Sequence, residues 1–246
     1  WILKDEPTND EPFPWLTVRD ILQQHSSKEN ILNALRVSNE DIVAIADKTK
    51  GQRDNNLWFE MRFGRLTASN FGPILSAINN KRFSPSLYSK LLGSTSLDHI
   101  RSIQYGITHE GEAVEIFEKN KNVKVTQTGI WLDQTGMLGA SPDGLVGQDS
   151  ILEIKCPWKH RTSTDAQQLF EDKSYCFKEG ELDKSHPYYH QIQGQLYISN
   201  RSLCHFLVYT PNFTIITEVQ KDPDWGENLD KLKLFYSEQF LAKLMG

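Results

Sequence analysis

The sequence predicts an α/β fold in which helices cover a central mixed sheet, with a helical appendage at the N-terminus. Short β-rich runs separated by Gly, Asp and Pro occupy the middle of the 246-residue chain, and helical periodicity occurs before and after them. A pair of β-rich runs then flanks a Pro-Asn turn near the C-terminus. Elements in this mixed order are typical of one sheet covered by helices.

The first 56 residues are predicted to form an acidic lead-in followed by a small helical element. The lead-in is rich in Asp, Glu, Pro and Asn and shows no periodicity, which favours an extended segment. Apolar residues at helical spacing over 15–50 predict short helices there. The polar run 48–56 is interpreted as a linker into the main domain, residues 57–246.

The main domain begins with helices and continues into the sheet. A helical pattern starts at residue 57, hydroxyl side chains near residue 67 can cap a further helix, and 110–120 again has helical spacing. The later predictions follow in chain order: strands at 123–127, 130–132, 138–140 and 151–156, a helix at 188–198, a hairpin of 203–209 with 213–219, and a helix at 228–244.

Charge and cysteine content narrow the class of protein. A formal net charge of -5 argues mildly against a nucleic-acid ligand, but carboxylates gathered around metal ions would leave a separate basic rim free for phosphate. Three cysteines leave one thiol unpaired in any disulfide scheme, which favours a reducing intracellular compartment, either cytoplasm or nucleus. No apolar run approaches the roughly 20 residues of a membrane span, so no membrane partner is expected.

The strongest candidate site combines Asp143, in the Ser-Pro-Asp-Gly turn 141–144, with Glu153 and Lys155. The two-residue period of a strand puts Glu153 and Lys155 side by side on one face. Asp143 and Glu153 would supply two oxygen ligands for Mg²⁺ or Mn²⁺ beside a lysine, the combination that phosphodiester hydrolysis needs. The alternative stays open that Glu153 and Lys155 are an ordinary exposed pair and Asp143 a turn former.

Two further polar residues are candidates for the same site. Glu110 shares its predicted helix face with apolar residues, where a carboxylate is costly unless it is paired or bound to metal; the alternative is a residue at the boundary of the core. Gln193, on the helix 188–198, could orient a water or a phosphate oxygen, or could be an interior amide satisfied by the backbone. Gln191 and Gln195 fall on other sides of that helix and are weaker candidates.

These motifs, in this order, resemble the lambda-exonuclease or YqaJ branch of the PD-(D/E)xK nuclease superfamily. The resemblance rests on Glu110, the Ser-Pro-Asp-Gly turn, Glu-Ile-Lys-Cys-Pro at 153–157 and Gln-Ile-Gln-Gly-Gln-Leu-Tyr at 191–197. It extends upstream to Trp-Phe-Glu-Met-Arg-Phe-Gly at 58–64 and Leu-Thr-Ala-Ser at 66–69, and so covers roughly 57–209. It implies the PD-(D/E)xK restriction-endonuclease-like fold.

The resemblance also implies an activity, that of a metal-dependent exonuclease digesting linear duplex DNA 5′→3′ from a 5′-phosphorylated end, in recombination or end processing. The implied metal is Mg²⁺, with Mn²⁺ as a substitute. The implied catalytic and metal-binding residues are Glu110, Asp143, Glu153, Ile154 through its carbonyl, Lys155 and Gln193. In this scheme Lys155 activates the attacking water with support from Gln193.

The resemblance places Arg62 and Ser69 in a pocket for the terminal 5′-phosphate, which suits a guanidinium and a hydroxyl near a helix start. Lys159 and Arg161 follow the catalytic strand and are candidate contacts to the DNA backbone, although short basic runs are more often solvated loops. The implied partners are double-stranded DNA ends and, as a further candidate, a single-strand annealing protein. A trimer and a monomer both stay open, because the first 56 residues match no motif of the family.

Two other functions remain open at this point. One is an endonuclease or nickase of the same superfamily, which would cut internally. The other is a non-catalytic module that binds DNA ends. Intact Asp143, Glu153 and Lys155 argue against the second, because binding alone has no use for all three.

Overall fold

The structure, a computed structural model, describes residues 13–93 and 100–246. Residues 1–12, which include most of the predicted lead-in, and 94–99 lie outside the described residues. The helices are α1 (Val18–Gln24), α2 (Lys28–Ala34), α3 (Asn39–Lys48), α4 (Asn56–Arg62), α5 (Phe71–Asn79), α6 (Pro85–Leu91), α7 (Arg101–Lys121), α8 (Gln167–Phe170), α9 (Pro187–Ile198), α10 (Glu227–Phe235) and α11 (Leu241–Met245). The strands are β1 (Leu66–Thr67), β2 (Val125–Thr126), β3 (Trp131–Leu132), β4 (Leu138–Ala140), β5 (Gly144–Val146), β6 (Ser150–Lys155), β7 (Phe177–Lys178), β8 (Glu181–Leu182), β9 (Leu203–Tyr209) and β10 (Thr214–Gln220).

The central sheet of the described residues is mixed and has the strand order β10-β9-β6-β5-β2. Strand β6 runs parallel to β9 and antiparallel to β5, while β9 and β10 form the predicted antiparallel hairpin. A smaller sheet, β1-β4-β3, and a two-stranded ribbon, β7-β8, lie beside it. Helices cover the central sheet, and the predicted α/β architecture is therefore confirmed.

A glycine fixes the approach of two strands next to the candidate site. A Cβ atom at Gly144 would lie 2.2 Å from Cγ1 of Val125, so β2 pairs with β5 at this point only because residue 144 has no side chain. The backbone N–H of Asp143 donates to the carbonyl of Leu152 at 3.0 Å. This bond ties the Ser-Pro-Asp-Gly turn to β6 immediately before β5 begins.

The N-terminal helices share the hydrophobic core with the rest of the chain. Val18 and Ile31 are fully buried in the same cluster as Phe71 and Phe206. Ile45 of α3 packs with residues of α4 and β3 in a second buried cluster. The domain division at residue 56 stays a prediction, and apolar packing continues across it.

The polar run 48–56 is not a linker, which corrects the interpretation made from composition. Helix α3 ends at Lys48, Gly51 adopts a left-handed backbone with φ +83°, and Gln52–Asp54 forms a single 3₁₀ turn before α4. Nε2 of Gln52 donates to the carbonyl oxygens of Thr128 (3.2 Å) and Pro142 (2.8 Å). These bonds fasten the run to the Ser-Pro-Asp-Gly turn.

Other differences from the predictions concern short or locally ambiguous elements. Helix α7 begins well before residue 110, and α6, β1, β5 and the β7-β8 ribbon had no predicted counterpart. The unpredicted strands have only two or three residues each, so their two-residue period gives a weak signal. No helix in the described part of the chain combines the length and the apolar composition that crossing a membrane requires.

Candidate active site

A cavity of about 690 Å³ lies between the 3₁₀ turn, α4, α7, α9 and the end of β6. It brings together most of the residues proposed from the sequence, although they are far apart in the chain: Arg62, Ser69, Glu110, Asp143, Glu153, Ile154 and Lys155. Arg53, Cys156, Gln191 and Gln195 also line it. Carboxylates, cations and amides from separate segments of the chain therefore line this one cavity.

The Ser-Pro-Asp-Gly turn presents Asp143 to the end of β6. Its Oδ2 accepts a hydrogen bond from the backbone N–H of Ile154 at 2.6 Å. Ser141 anchors the other side of the turn, since its hydroxyl accepts from Nε1 of Trp58 at 2.9 Å. The sequence-based expectation that Asp143 folds back towards the strand of Glu153 and Lys155 agrees with this geometry.

Glu153 is 1% exposed and has polar partners on both carboxylate oxygens. Oε1 accepts from Lys155 and, at 2.6 Å, from Nε2 of Gln191, while Oε2 accepts from Nε2 of Gln195 at 2.6 Å. A buried carboxylate is tolerated only with such partners. Because each carboxylate oxygen can accept about two bonds, Oε2 keeps one acceptor position open.

Lys155 is the cation nearest to these carboxylates. Its Nζ donates to Glu153 and lies 4.8 Å above the ring centre of Tyr188. Burial alone would lower the pKa of Lys155, but the charges of Glu153 and Asp143 outweigh burial, so this pKa lies above its usual value. The ammonium group therefore stays protonated at neutral pH.

The carboxylates of the cavity oppose one another's ionisation. Burial, followed by the charges of Glu153 and Glu110, raises the pKa of Asp143 well above its ordinary value. The pKa of Glu110 is raised as well, by desolvation in the cavity and then by the charge of Glu153. Glu110 was expected on the buried face of its helix; instead the residue is exposed, because the cavity opens beside this turn of α7.

The donor set fits a divalent cation. The described residues contain no three His, Cys, Asp or Glu side chains already placed together as ligands. Mg²⁺, however, commonly uses only one or two protein carboxylates and takes its other oxygens from water and phosphate. Asp143, the open position on Glu153 and the carbonyl of Ile154 could supply these protein ligands, and a cation would relieve the mutual repulsion that raises the pKa of Asp143.

Arg62 and Ser69 line the same cavity from α4 and the turn before α5. The guanidinium of Arg62 lies 4.1 Å from the ring centre of Trp58, the residue that also holds Ser141. Burial, with Arg53 nearby, lowers the pKa of Arg62 to about 10, so the group is charged at neutral pH. Among the described residues Arg62 has no carboxylate partner, which leaves its donors available to an anion.

Gln193 does not reach the cavity, which corrects the role expected for it. Its Nε2 donates to the carbonyl of Gln220 at 2.9 Å, and its Oε1 accepts from the backbone N–H of Asp222 at 2.8 Å. The side chain thus fastens α9 to the segment after β10. Gln191 and Gln195, two residues away on either side, point at Glu153 instead.

The basic run after β6, which contains Lys159 and Arg161, contributes less to the cavity than the sequence suggested. Neither Lys159 nor Arg161 lines the cavity. Nζ of Lys159 is paired with Asp172 at 2.5 Å, and the guanidinium of Arg161 stacks 3.8 Å from the ring centre of Trp158. Trp158 is itself a cavity residue, so Arg161 is at most a neighbour of the rim.

The amide pair and the 3₁₀ turn were missed by the sequence analysis. Gln191 and Gln195 were expected on different sides of α9, but both reach Glu153. They are four residues apart and so share a helix face, which was the available signal. Nothing in the sequence indicated that this face, rather than the face of Gln193, meets β6. Arg53 carried no signal either, because its position depends on the contact between Gln52 and Pro142.

Residues 57–202 match the YqaJ-like viral recombinase domain, and this segment contains every cavity residue named above except Gly51, Gln52, Arg53 and Asp54. The chain belongs to the YqaJ-like viral recombinase domain family. The alkaline nuclease of Autographa californica nuclear polyhedrosis virus is 26% identical to it over 204 residues, which are 74% of this chain and 47% of that protein. The chain spans about half the length of the curated relatives it matches.

Solved structures resemble the chain in fold. LHK-Exo, an alkaline exonuclease from Laribacter hongkongensis, has been solved in complex with dAMP and is 26% identical. The match covers 76% of this chain and 91% of LHK-Exo with a TM-score of 0.54. A SOX–DNA complex matches 90% of this chain and 77% of its own with a TM-score of 0.54, and at 12% identity it shows the fold alone. The expected PD-(D/E)xK-type family and fold are confirmed.

Proposed function

We propose that the chain is a divalent-metal-dependent deoxyribonuclease that digests linear duplex DNA 5′→3′ from a 5′-phosphorylated end. The main support is one observation: Arg62 and Ser69 open into the same cavity as Asp143, Glu153 and Lys155. A phosphate-binding arginine and a carboxylate-lysine centre facing one space suit a substrate that carries a terminal phosphate next to the bond to be broken. The relatives named alkaline nuclease and alkaline exonuclease support the same activity.

The residues of the cavity would have distinct roles in the reaction. A bound Mg²⁺, which Mn²⁺ can replace, would polarise the scissile phosphate and lower the pKa of a bound water. Asp143, Glu153 and the carbonyl of Ile154 would hold this ion, and Glu110 would add negative charge beside it. Because the pKa of Lys155 is raised, its ammonium would donate hydrogen bonds to the water or to a phosphate oxygen and stabilise developing negative charge.

The test of this function compares substrates with and without ends. The protein is incubated with Mg²⁺ and an end-labelled, 5′-phosphorylated linear duplex, beside a covalently closed circle of the same sequence. We expect mononucleotide release from the labelled 5′ end, no cutting of the circle, and no reaction in EDTA or with Asp143→Asn. Cutting of the circle would show an endonuclease, and binding of the linear duplex without cleavage would show a non-catalytic module.

The role of Arg62 gives a second prediction. We expect Arg62→Ala to slow digestion of a 5′-phosphorylated duplex about 10- to 100-fold, the equivalent of about 1.5–3 kcal/mol for a charge-assisted bond, and to affect a 5′-hydroxyl duplex much less. A terminal phosphate carries nearly two charges and an internal diester only one, so the arginine matters most when the terminal group is present. Initial rates for both ends measure this.

The matched control for this experiment is Arg36→Ala, an exposed arginine that does not line the cavity. It should leave both rates near those of the unaltered protein. An equal fractional loss on both ends with Arg62→Ala would remove Arg62 from end recognition.

A further inference from the structure

Arg65, in the loop that joins α4 to β1, is a buried cation that does not line the active-site cavity. The residue is 3% exposed. Burial lowers the pKa of Arg65 to about 10, with Tyr236 and Asp133 opposing, so the guanidinium is charged at neutral pH. A buried charge is costly unless hydrogen bonds compensate it, so the partners of this guanidinium indicate its role.

The guanidinium of Arg65 donates to two backbone carbonyls. Nη1 donates to the carbonyl of Met61 at 2.7 Å, and Nε donates to the carbonyl of Gly136 at 2.9 Å. Met61 lies in the last turn of α4, where carbonyls have no partner within the helix, and a cation suits the negative end of the helix dipole. Arg65 therefore caps the C-terminus of α4 and fastens it to the turn before β4.

A second hydrogen bond fastens α4 near its other end. Nε1 of Trp58, in the first turn of the helix, donates to the hydroxyl of Ser141 at 2.9 Å. Ser141 directly follows β4, and Gly136 lies two residues before β4 begins. All three residues of β4 are buried. The helix that carries Arg62 is therefore tied to both ends of one short buried strand.

Strand β4 leads directly into the Ser-Pro-Asp-Gly turn. Asp143 follows two residues after Ser141, and its carboxylate is held to β6 by the backbone N–H of Ile154. Arg62 lies between the two bonds that tie α4 to β4, and its guanidinium is 4.1 Å from the ring centre of Trp58. The two bonds thus fix where Arg62 lies relative to Asp143.

We propose that Arg65 is a positioning residue that, together with Trp58, sets the distance between the terminal phosphate at Arg62 and the cleavage site at Asp143. This inference rests on the proposed function. The distance decides how many nucleotides fit between the terminal phosphate and the scissile bond. A fixed distance gives products of one length, whereas a loosened α4 gives several, because a shift of about 1 Å is enough to change which bond is aligned for attack.

Product length is a measurement that a merely structural role would not change. Each protein digests a uniformly labelled, 5′-phosphorylated duplex with Mg²⁺, and the first products are separated by length. We expect mononucleotides from the unaltered protein, and di- and trinucleotides beside them from Arg65→Met, which has no donors. Arg65→Lys, which keeps the charge but not the planar fork, takes its place if the Met variant does not fold. Trp58→Phe removes the indole N–H, keeps an aromatic ring beside Arg62 and should broaden the products in the same way.

The matched control is Arg201→Met, which removes a guanidinium with the same kind of bonds elsewhere. Nη1 of Arg201 donates to the carbonyls of Gly147 at 3.0 Å and Ser150 at 3.1 Å, at the end of β6 away from Lys155. Thermal melts establish that each variant is folded at the assay temperature, and Arg201→Met should release only mononucleotides. Broadened products from the control as well, or products of a single length from the folded Arg65 and Trp58 variants, would overturn the proposal.

Binding in EDTA tests the position of Arg62 without cleavage. A competition titration compares the 5′-phosphorylated and 5′-hydroxyl forms of one duplex. We expect Arg65→Met to reduce the preference for the phosphorylated end about tenfold, and to cause no further loss in an Arg62→Ala background, because Arg65 acts through Arg62. Equal preferences in Arg65→Met and the unaltered protein would overturn the proposal. Absence of digestion by the unaltered protein would contradict the proposed function, and this titration would still decide the role of Arg65.

Discussion

At the scale of single residues, the set of hydrogen bonds that holds the carboxylate of Glu153 is the most specific feature of the site. Nε2 of Gln195 lies 2.6 Å from Oε2 of Glu153 and 3.4 Å from the carbonyl of Ser141, and both of these are acceptors. The amide orientation is therefore fixed, because the opposite one would place oxygen against oxygen. Oε1 of Gln195 is then buried without a hydrogen-bond partner among the described residues. It would be free to accept a bond from a water molecule held by a bound metal ion.

This geometry separates two glutamines that look alike in sequence. We expect Gln195→Met to lower metal affinity and turnover by about 10- to 100-fold, the usual effect of removing a group that holds a ligand. Gln193→Met should instead cost about 1–3 kcal/mol of stability, because it removes bonds to the backbone of Gln220 and Asp222, and should keep turnover per folded molecule. Calorimetric titration with Mg²⁺ and urea unfolding measure the two effects. An inactive but stable Gln193→Met would contradict the assignment.

Asp143 connects the chemistry of the site with the stability of the protein. Its pKa is raised well above the ordinary 3.8 by burial and by Glu153 and Glu110, with Lys155 opposing. In the metal-free protein the folded state therefore holds a proton that the unfolded chain releases at lower pH. Stability contributed by this group is greatest in acid and is lost as the pH rises from 3.8 through the raised pKa.

Asp143→Asn removes this penalty and keeps an acceptor for the N–H of Ile154. We expect the variant to be more stable than the unaltered protein near neutral pH in EDTA, with the difference shrinking as the pH falls. Thermal melts across the pH range measure it, with Asp149→Asn, an exposed carboxylate elsewhere on the chain, as the control. A stability difference between the variant and the unaltered protein that does not change with pH would show that ionisation of Asp143 does not destabilise the folded state.

At the scale of elements, α9 carries the amide pair, and its distance from α5 decides where the pair points. A Cβ atom at Gly194 would lie 2.4 Å from Cδ2 of Phe71, a buried ring of α5. Only glycine permits this approach of the two helices. Gly194 thus sets how closely α9 approaches its neighbours, and with it the position from which Gln191 and Gln195 reach Glu153.

We expect Gly194→Ala to destabilise the protein by about 1–3 kcal/mol, because the added methyl group meets a ring that cannot withdraw. Gly111→Ala on α7 is the matched control, since a Cβ there has no neighbour within 4 Å. It should be neutral or stabilising by up to about 1 kcal/mol, the difference in helix propensity. Urea unfolding of both variants gives the comparison, and equal destabilisation of the two would show that the contact with Phe71 is not limiting.

At the scale of the whole molecule, the features predicted from sequence are those with a local cause. The two-residue period of 153–155, the Ser-Pro-Asp-Gly turn and the alternation of the β9-β10 hairpin are visible in the residues themselves, and the structure contains all of them. The order of motifs identified the family for the same reason. These signals need no knowledge of which element packs against which.

The features that were missed have causes in tertiary packing. The face of α9 that meets β6 is set by Gly194 against Phe71, whereas sequence spacing favoured Gln193 over Gln191 and Gln195. The run 48–56 is polar and contains Gly51, as linkers do, yet Gln52 holds it to the carbonyl of Pro142, between the cavity residues Ser141 and Asp143. Composition describes what a segment would do alone and carries no information on such a contact.

The thiol of Cys156, which lines the active-site cavity, bears on how the protein responds to oxidants. Burial, with the charges of Glu110 and Asp143, raises the pKa of Cys156 to about 12. Alkylating agents and peroxides attack the thiolate, which is then almost absent at neutral pH. Burial and the carboxylates that would hold a cation in this cavity therefore also disfavour the thiolate of Cys156, and we expect this thiol to react slowly with alkylating agents at neutral pH.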